Sequence, residues 1–357
     1  MFKGKLKVFS VILFVCVLIL MVTSITTVFA AEKPITLTLN TLGVPTSLVG
    51  VGDKILKEEI EKRTNGRVEV KIYWAQALFS GKETLKAVED GAVDISRHCC
   101  NFYPNQLPLH GVYSMIFKGP AKYKNLSWVM DACMEQIPEF KAEFLDNNQI
   151  PIYISQMLPM VICSRVPMAR LEDLKNRKVR ISSRWGLSML KALGAVPVSV
   201  PWNDCFMAMQ TGTIDAVVSN LDAIHDDKID EVGKNIFFSK QMWLGTAFVY
   251  TMNLDKWNSL PKDIQGQIME ATEWTTIRYT EAYDAAWDKM IAEQKEMGIV
   301  HNVISPEEIE EWASMPVMEE LELQWVKEVE DIGVKNAGEL LKQVKEIVKQ
   351  GIERDKQ

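Results

Sequence analysis

Two stretches of this chain read almost alike. They are Leu85-Lys-Ala-Val-Glu-Asp-Gly-Ala-Val-Asp-Ile (85–95) and Phe206-Met-Ala-Met-Gln-Thr-Gly-Thr-Ile-Asp-Ala (206–216). Each is an amphipathic helical segment, a glycine, one residue, a β-branched residue and an aspartate. A glycine at that place permits the left-handed turn that ends a helix, and the next strand starts at once. Two copies about 120 residues apart imply two lobes with related cores.

Working outward, the first lobe alternates strand and helix. Ile35 to Thr41 has the period of two expected of a strand, and Leu48 to Arg63 places Ile55, Leu56 and Ile60 on one helical face. Asn65-Gly66 stops that helix. Arg67 to Trp74 is a second strand. Ser80 with Glu83 reads as a capping box opening a helix over 81–90, and Ala92 starts a third strand. This alternation predicts βαβ units and a largely parallel sheet. Pro151 to Cys163, apolar and extended, reads as a crossover strand between the lobes. Lys262 to Met297 is one long helix, about 50 Å at 1.5 Å per residue, placed to brace both lobes. Ser305-Pro306 is a strong helix start. Leu340, Leu341, Val344 and Ile347 give the terminal segment from Ala337 one apolar face.

The N-terminus has the three-part layout of a secretory signal: Lys3, Lys5 and Lys7, an apolar run from Val8 to Val22, and the small-x-small pattern Val28-Phe29-Ala30. The run is shorter than the ~20 residues a spanning helix needs. Cleavage after Ala30 is expected to release a chain that is not membrane-embedded. The whole sequence carries 40 Lys and Arg against 47 Asp and Glu, net −7, and cleavage removes three lysines. That acidic balance argues against nucleic acid as a partner. Cys16 falls in the leader. The other five cysteines, Cys99, Cys100, Cys133, Cys163 and Cys205, have no scaffold spacing, and Cys99-Cys100 reads as two small buried residues rather than a vicinal disulfide.

No catalytic, metal-binding, cofactor-binding or phosphate-cradling motif is present. The four histidines do not pair at zinc spacing, and there is no G-x-S-x-G. A binding cleft is the better expectation. In open α/β sheets ligands sit beyond the carboxyl ends of strands. Three such ends give Ser96, Arg97 and His98; Val218, Ser219 and Asn220; and Arg180, Ser182 and Ser183. A helix over 187–193 follows the last, and its positive end favours an anion. Arg180 is the best candidate to grip a carboxylate through paired hydrogen bonds. Trp185, Trp202 and Trp243 are placed to shape the pocket. Thr46 and Ser47 open the first helix toward the cleft, Asp222 fits its polar rim, and Arg97 reads as a bridge to acidic helix faces.

Leu171-Glu-Asp-Leu-Lys-Asn-Arg-Lys-Val-Arg, Leu193-Gly-Ala-Val-Pro-Val and Ala208-Met-Gln-Thr-Gly-Thr-Ile-Asp, in that order, resemble the signature of solute-binding proteins of TRAP transporters, the tripartite ATP-independent periplasmic systems. Trp74-Ala-Gln-Ala-Leu and Asn253-Leu-Asp-Lys-Trp-Asn-Ser-Leu-Pro extend the resemblance over nearly the whole mature chain. It implies an α/β, two-lobed periplasmic-binding-protein-like fold of the class II type, with a hinge and a long bracing helix. Lobe I is expected over 31–157 and about 246–285, lobe II over 158–245 and about 286–335, and a C-terminal helix over 336–357. It implies a small organic acid as ligand, TRAP membrane permease subunits as partners and a periplasmic location, with no chemical step. Arg180 takes the family's carboxylate-binding position, and Trp202 a position where an aromatic residue often meets ligand. The family often has asparagine four residues after the Asp215 position; here Ser219 stands there and Asn220 follows. Some members carry a second arginine near the position of Met160. Its absence points away from sialic acid or a simple C4-dicarboxylate, toward a larger or more apolar acid. Two other readings are an exported enzyme acting on an acid, with His98 as its general base, and a sensory module presenting ligand to a receptor.

Overall fold

The computed structural model describes residues 33–357, and Thr36–Gln357 form one compact unit. The expected signal segment, 1–30, lies outside the described residues.

Two sheets are present. The first contains β1 (Ile35–Asn40), β2 (Val68–Tyr73), β3 (Ile95–Cys99), β4 (Gln149–Ile154) and β10 (Phe248–Asn253), in the order β2-β1-β3-β10-β4. The second contains β5 (Met160–Ser164), β6 (Lys178–Arg180), β7 (Val196–Val198), β8 (Ala216–Asn220), β9 (Asn235–Phe238) and β11 (Val300–Val303), in the order β11-β9-β5-β8-β6-β7. Read from β2 and from β7, the two orders match. Leaving the arriving strand out of the count, each sheet has its first strand second in line and its third strand next, followed by the one strand that arrives from the other sheet. Those arriving strands, β10 and β5, are antiparallel to both neighbours. The sheets are therefore mixed rather than largely parallel as expected, because a strand that enters from the opposite lobe must run back.

The repeated phrase explains the match. Gly91 and Gly212 both adopt positive φ, +70° and +74°, and end the helices α2 (Thr84–Glu89) and α6 (Cys205–Gln210). Asp94 then accepts the Thr38 backbone N–H at 2.7 Å and the Thr38 hydroxyl at 2.8 Å, which ties β1 to the start of β3. Asp215 accepts the Lys178 backbone N–H at 3.0 Å and ties β6 to the start of β8 in the same way. The third strand starts at Ile95, three residues later than its sequence suggests, because 92–94 are spent on this turn.

The remaining helices cover these sheets. They are α1 (Leu48–Arg63), α3 (Tyr123–Gln136), α4 (Pro138–Asp146), α5 (Arg184–Ala192), α7 (Leu221–Asp226), α8 (Ile229–Val232), α9 (Leu254–Ser259), α10 (Lys262–Glu296), α11 (Pro306–Ala313), α12 (Pro316–Asp331) and α13 (Ala337–Arg354). Ser80 and Glu83 form only the glutamate half of the expected capping box: the carboxylate accepts the Ser80 N–H at 3.0 Å, and α2 starts at Thr84. Ser305 caps α11 in a full box with Glu308.

The chain crosses between sheets three times: at 155–159, at 239–247 and through α10. The expected single crossover strand, Pro151 to Cys163, is instead two strands in different sheets, with Ser155–Pro159 between them. Helix α10 packs along α1 in the first lobe and reaches α7 in the second, so it braces both. Its Tyr279 and Tyr283 are buried against Tyr123, at ring separations of 5.4 and 4.3 Å. Trp274 and Ile277 lie on its exposed side. Helix α13 buries Leu340, Leu341, Val344 and Ile347 as expected. Asp355, just beyond it, accepts N–H groups from Ala121 at 2.5 Å and Lys122 at 3.2 Å and the Asn125 side-chain amide at 2.7 Å, which ties the C-terminus to the start of α3.

Candidate ligand-binding cleft

Arg180 ends β6 and is 7% exposed. Its Nε donates to the Val200 carbonyl at 3.1 Å, and its guanidinium lies 5.3 Å from the centre of the Trp202 ring. Among the described residues no carboxylate lies within ion-pair distance of it. Burial lowers its pKa from the ordinary value, the mark of a cation short of water and of a counter-charge. Trp202, half-buried, is fixed by Nε1 donating to Asp227 at 2.8 Å. An anion entering here meets a guanidinium already oriented by one carbonyl and one aromatic face, with the N–H groups of both Nη atoms to offer.

Strand alternation separates Ser219 from Asn220. Arg180 pairs with Val217 across the ladder, so Val217 and Ser219, two residues on, share the face of Arg180. Asn220 points the other way, and its side-chain amide donates to the Leu158 carbonyl at 2.7 Å. Asn220 thus holds the first crossing in place. Met160, where a second arginine was sought, is buried opposite Asn220 and belongs to the core.

The helix after β6 begins at Arg184 rather than 187, with Ser183 as N-cap accepting the Gly186 N–H at 3.3 Å. Ser182 is exposed and caps nothing. Ser183, Arg184 and Trp185 form one wall of a groove whose other wall is Cys100, Asn101, Pro104 and Leu107, from the segment after β3. Trp185 is therefore on this groove, itself buried, with the Arg184 guanidinium 4.3 Å over its ring. Trp243 is not. It is buried in the core of the second crossing, and its backbone N–H donates to Phe117 at 2.7 Å.

In the first lobe, Ser47 is consumed as the N-cap of α1, accepting the Gly50 N–H at 3.1 Å and donating to Val44 at 2.9 Å. Thr46 is exposed. His98 is fully buried with both ring nitrogens engaged: Nδ1 with Thr84 at 3.0 Å, Nε2 with Thr251 at 2.7 Å and Gln149 at 2.9 Å. Burial pushes its pKa down to about 4. The ring faces α2, away from the cleft.

Arg97, one residue earlier, faces the opposite way. It is 1% exposed, its guanidinium lies 4.0 Å over the Phe248 ring, and its contact with the Ser155 carbonyl is long, 3.4 Å. It bridges to no acidic helix face, contrary to its sequence reading. Asp222 is not on a rim; it is 1% exposed in the first turn of α7, and burial raises its pKa to about 7. The five cysteines in the described residues are buried free thiols. Among the described residues no cluster suited to a metal ion is present, and no helix is long and apolar enough to cross a membrane. Sequence reading did not offer Cys99, Cys205 or Gln156 as site residues. Cys99 and Cys205 both lie within electrostatic reach of Arg180, from opposite lobes, and the signal for Gln156 was its place between two strands that turn out to belong to different sheets.

Two α/β lobes of matching strand order, three crossings and an unpaired cation between them define a hinged binding protein. The chain belongs to the bacterial extracellular solute-binding proteins of family 7, whose family description matches residues 42–324, the solute-binding proteins of TRAP transporters. It is 27% identical over 251 residues, 69% of this chain and 73% of the relative, to the C4-dicarboxylate-binding periplasmic protein DctP of Rhodobacter capsulatus. In fold it is similar to a TRAP solute-binding protein of Rhodoferax ferrireducens T118 with copurified benzoate, at TM-score 0.76 and 22% identity, covering 89% of this chain and 98% of that one. It is also similar to DctP7 of Bordetella pertussis, a pyroglutamic acid receptor, at TM-score 0.72 and 18% identity, covering 87% and 98%.

Proposed function

We propose that this protein captures a small organic acid between its lobes in the periplasm and delivers it to the membrane permease subunits of a TRAP transporter, with no chemical step. The observation that carries the reading is Arg180: a buried guanidinium, held by Val200 and Trp202, with no carboxylate of its own. A carboxylic acid completes that site, and closure of the lobes strengthens the pair by excluding water. Ser219 adds a hydroxyl on the same face, and Trp202 and Trp185 supply apolar walls. Lobe I is 31–157 with about 246–285 and lobe II 158–245 with about 286–335, divisions supported by sheet membership; the leader to Ala30 is cleaved on export. An exported enzyme would need a general base, and His98, with both nitrogens occupied, is unsuited to that role.

A thermal-shift screen of mono- and dicarboxylic, hydroxy and aromatic acids tests this. The best acid at ~100-fold saturation raises native stability by about 2.7 kcal/mol. Arg180→Met removes that gain. Full affinity in Arg180→Met, or turnover of the bound acid, overturns the reading.

A further inference from the structure

Around the first crossing several buried side chains leave polar atoms without a hydrogen-bond partner, the hydroxyls of Ser155, Tyr123 and Tyr153 among them, and three more carry the charged and amide groups. They are Nε of Arg97, on β3 of the first sheet; Nε2 of Gln156, on the first crossing; and both carboxyl oxygens of Asp222, in α7 of the second lobe. Gln156 is 3% exposed, and the other two are 1% exposed. Each such atom costs about 1–3 kcal/mol when left unmet, and native folds hold few of them. Here they converge. Arg97 touches the Ser155 carbonyl, Gln156 is the next residue, and Tyr279 of α10 donates to the Gln156 carbonyl at 3.2 Å. The charges of Arg97 and Asp222 reach one another without forming an ion pair. Asp53, the other acid near Arg97, is already matched by Tyr250 at 2.6 Å and Thr41 at 2.7 Å.

Strand β3 leads from this cluster toward Arg180. Cys99 lies two residues beyond Arg97 on the same face of β3, about 7 Å on by strand rise. It is within electrostatic reach of Arg180 on the other side. One molecule can thus engage Arg180 with one end and the cluster with the other.

The kind of group that fits follows from the donor and acceptor inventory. One side of the cluster offers N–H donors, Arg97 and Gln156; the other offers the acceptors of Asp222. A second carboxylate would be drawn to Arg97 but repelled by Asp222 whenever that acid is ionised, and an ammonium would meet the reverse. A methylene would leave all of them unmet. A hydroxyl donates one hydrogen bond and accepts two, so it donates to Asp222 and accepts from Arg97 or Gln156. We propose that Arg97, Gln156 and Asp222 form a hydroxyl-recognition subsite, so that the ligand is a hydroxylated organic acid held by its carboxylate at Arg180 and by its hydroxyl-bearing tail at the hinge. This rests on the carboxylate reading of Arg180. Donors come from the first lobe and the crossing, and acceptors from the second lobe, so the subsite is complete only when the lobes are closed on the ligand.

Isothermal titration of the mature protein with matched acids tests it: gluconate against hexanoate, 4-hydroxybutyrate against butyrate, and mandelate against phenylacetate. The wild type prefers the hydroxylated member of at least one pair, on the order of tenfold or more. Asp222→Ala and, separately, Gln156→Leu collapse that ratio toward one, with thermal melts confirming that each variant folds. No preference in any pair, or a preference that survives in a folded variant, overturns the proposal. Arg180→Met is the independent arm. It weakens both members of a pair together, and if it weakens neither, the carboxylate reading fails whatever the hydroxyl ratio does.

Discussion

Asp94 holds the Thr38 backbone N–H at 2.7 Å in one sheet, and Asp215 holds that of Lys178 at 3.0 Å in the other. The two aspartates occupy the same place in the repeated phrase and the same place in the two lobes. Replacing either with alanine strips an acceptor from a strand N–H, at a cost of about 1–3 kcal/mol at the part-buried Asp94 site and about 0.5–1.5 kcal/mol at the exposed Asp215 site. Urea unfolding of Asp94→Ala, Asp215→Ala and the double variant is expected to give nearly additive losses, because the sites share no partner. A silent Asp215→Ala would remove the structural meaning of the repeat.

Much of this fold was legible because local chemistry and global placement agree. The glycine–aspartate phrase, the Ser305 cap, the uninterrupted α10 and the apolar face of α13 each carry their own signal within a few residues. What was not legible depends on partners far along the chain. Strand β10 is buried along its whole length between β3 and β4, so it has no alternation to read. At the site, Arg180 could be found from its strand end and its resemblance. The orientation of Ser219 over Asn220 was available from the period of two starting at Val217. The orphaned state of Arg97 and Asp222 was not, because the absence of a partner is a property of the assembled cluster alone.

Trp202 is expected to act through Arg180. Removing its ring in Trp202→Ala takes away a cation–π platform worth about 1 kcal/mol. Affinity for the best acid should therefore fall roughly fivefold, well short of the loss in Arg180→Met. Asp227→Asn, which weakens the anchor of the indole N–H, should fall between wild type and Trp202→Ala. Calorimetry on the three variants checks the order, and a Trp202→Ala as damaging as Arg180→Met would mean that the ring itself, not the cation, holds the ligand.

Two histidines give opposite pH dependence. Folded His98 takes a proton only near pH 4, because burial lowers its pKa, whereas an unfolded histidine takes one near pH 6.5. Its contribution is whole above pH 6.5 and lost as pH falls toward 4, by about 3 kcal/mol at most. His225 has its pKa raised, chiefly by the hydrogen bond to Asp230 at 2.7 Å. Its contribution is whole below pH 6.5 and lost as pH rises through the raised folded value. Melting curves from pH 4 to 9 should lose their acid-side slope selectively in His98→Asn and their alkaline-side decline in His225→Gln. Identical profiles in all three proteins would contradict both assignments.

The second crossing is expected to be intolerant of side chains at its glycines. A Cβ on Gly119 would fall 2.6 Å from the Trp243 ring, and one on Gly245 would fall 2.2 Å from its Nε1. Gly119→Ala and Gly245→Ala should each cost about 1–3 kcal/mol through overpacking. Shrinking the ring in Trp243→Leu should restore part of the loss in the double variant. Unchanged melting of Gly245→Ala would show that the crossing is looser than its packing implies.

The place of β10 has a consequence for the order of events in synthesis. The first sheet has a gap between β3 and β4 that only residues 248–253 can fill. Until that late segment is available, β3 and β4 have no shared neighbour, and the first lobe cannot close on itself however soon its own residues emerge. Pairings over such sequence distances are slow to form. A chain built this way completes its first sheet only after most of its residues are available, so the two lobes finish together rather than one after the other.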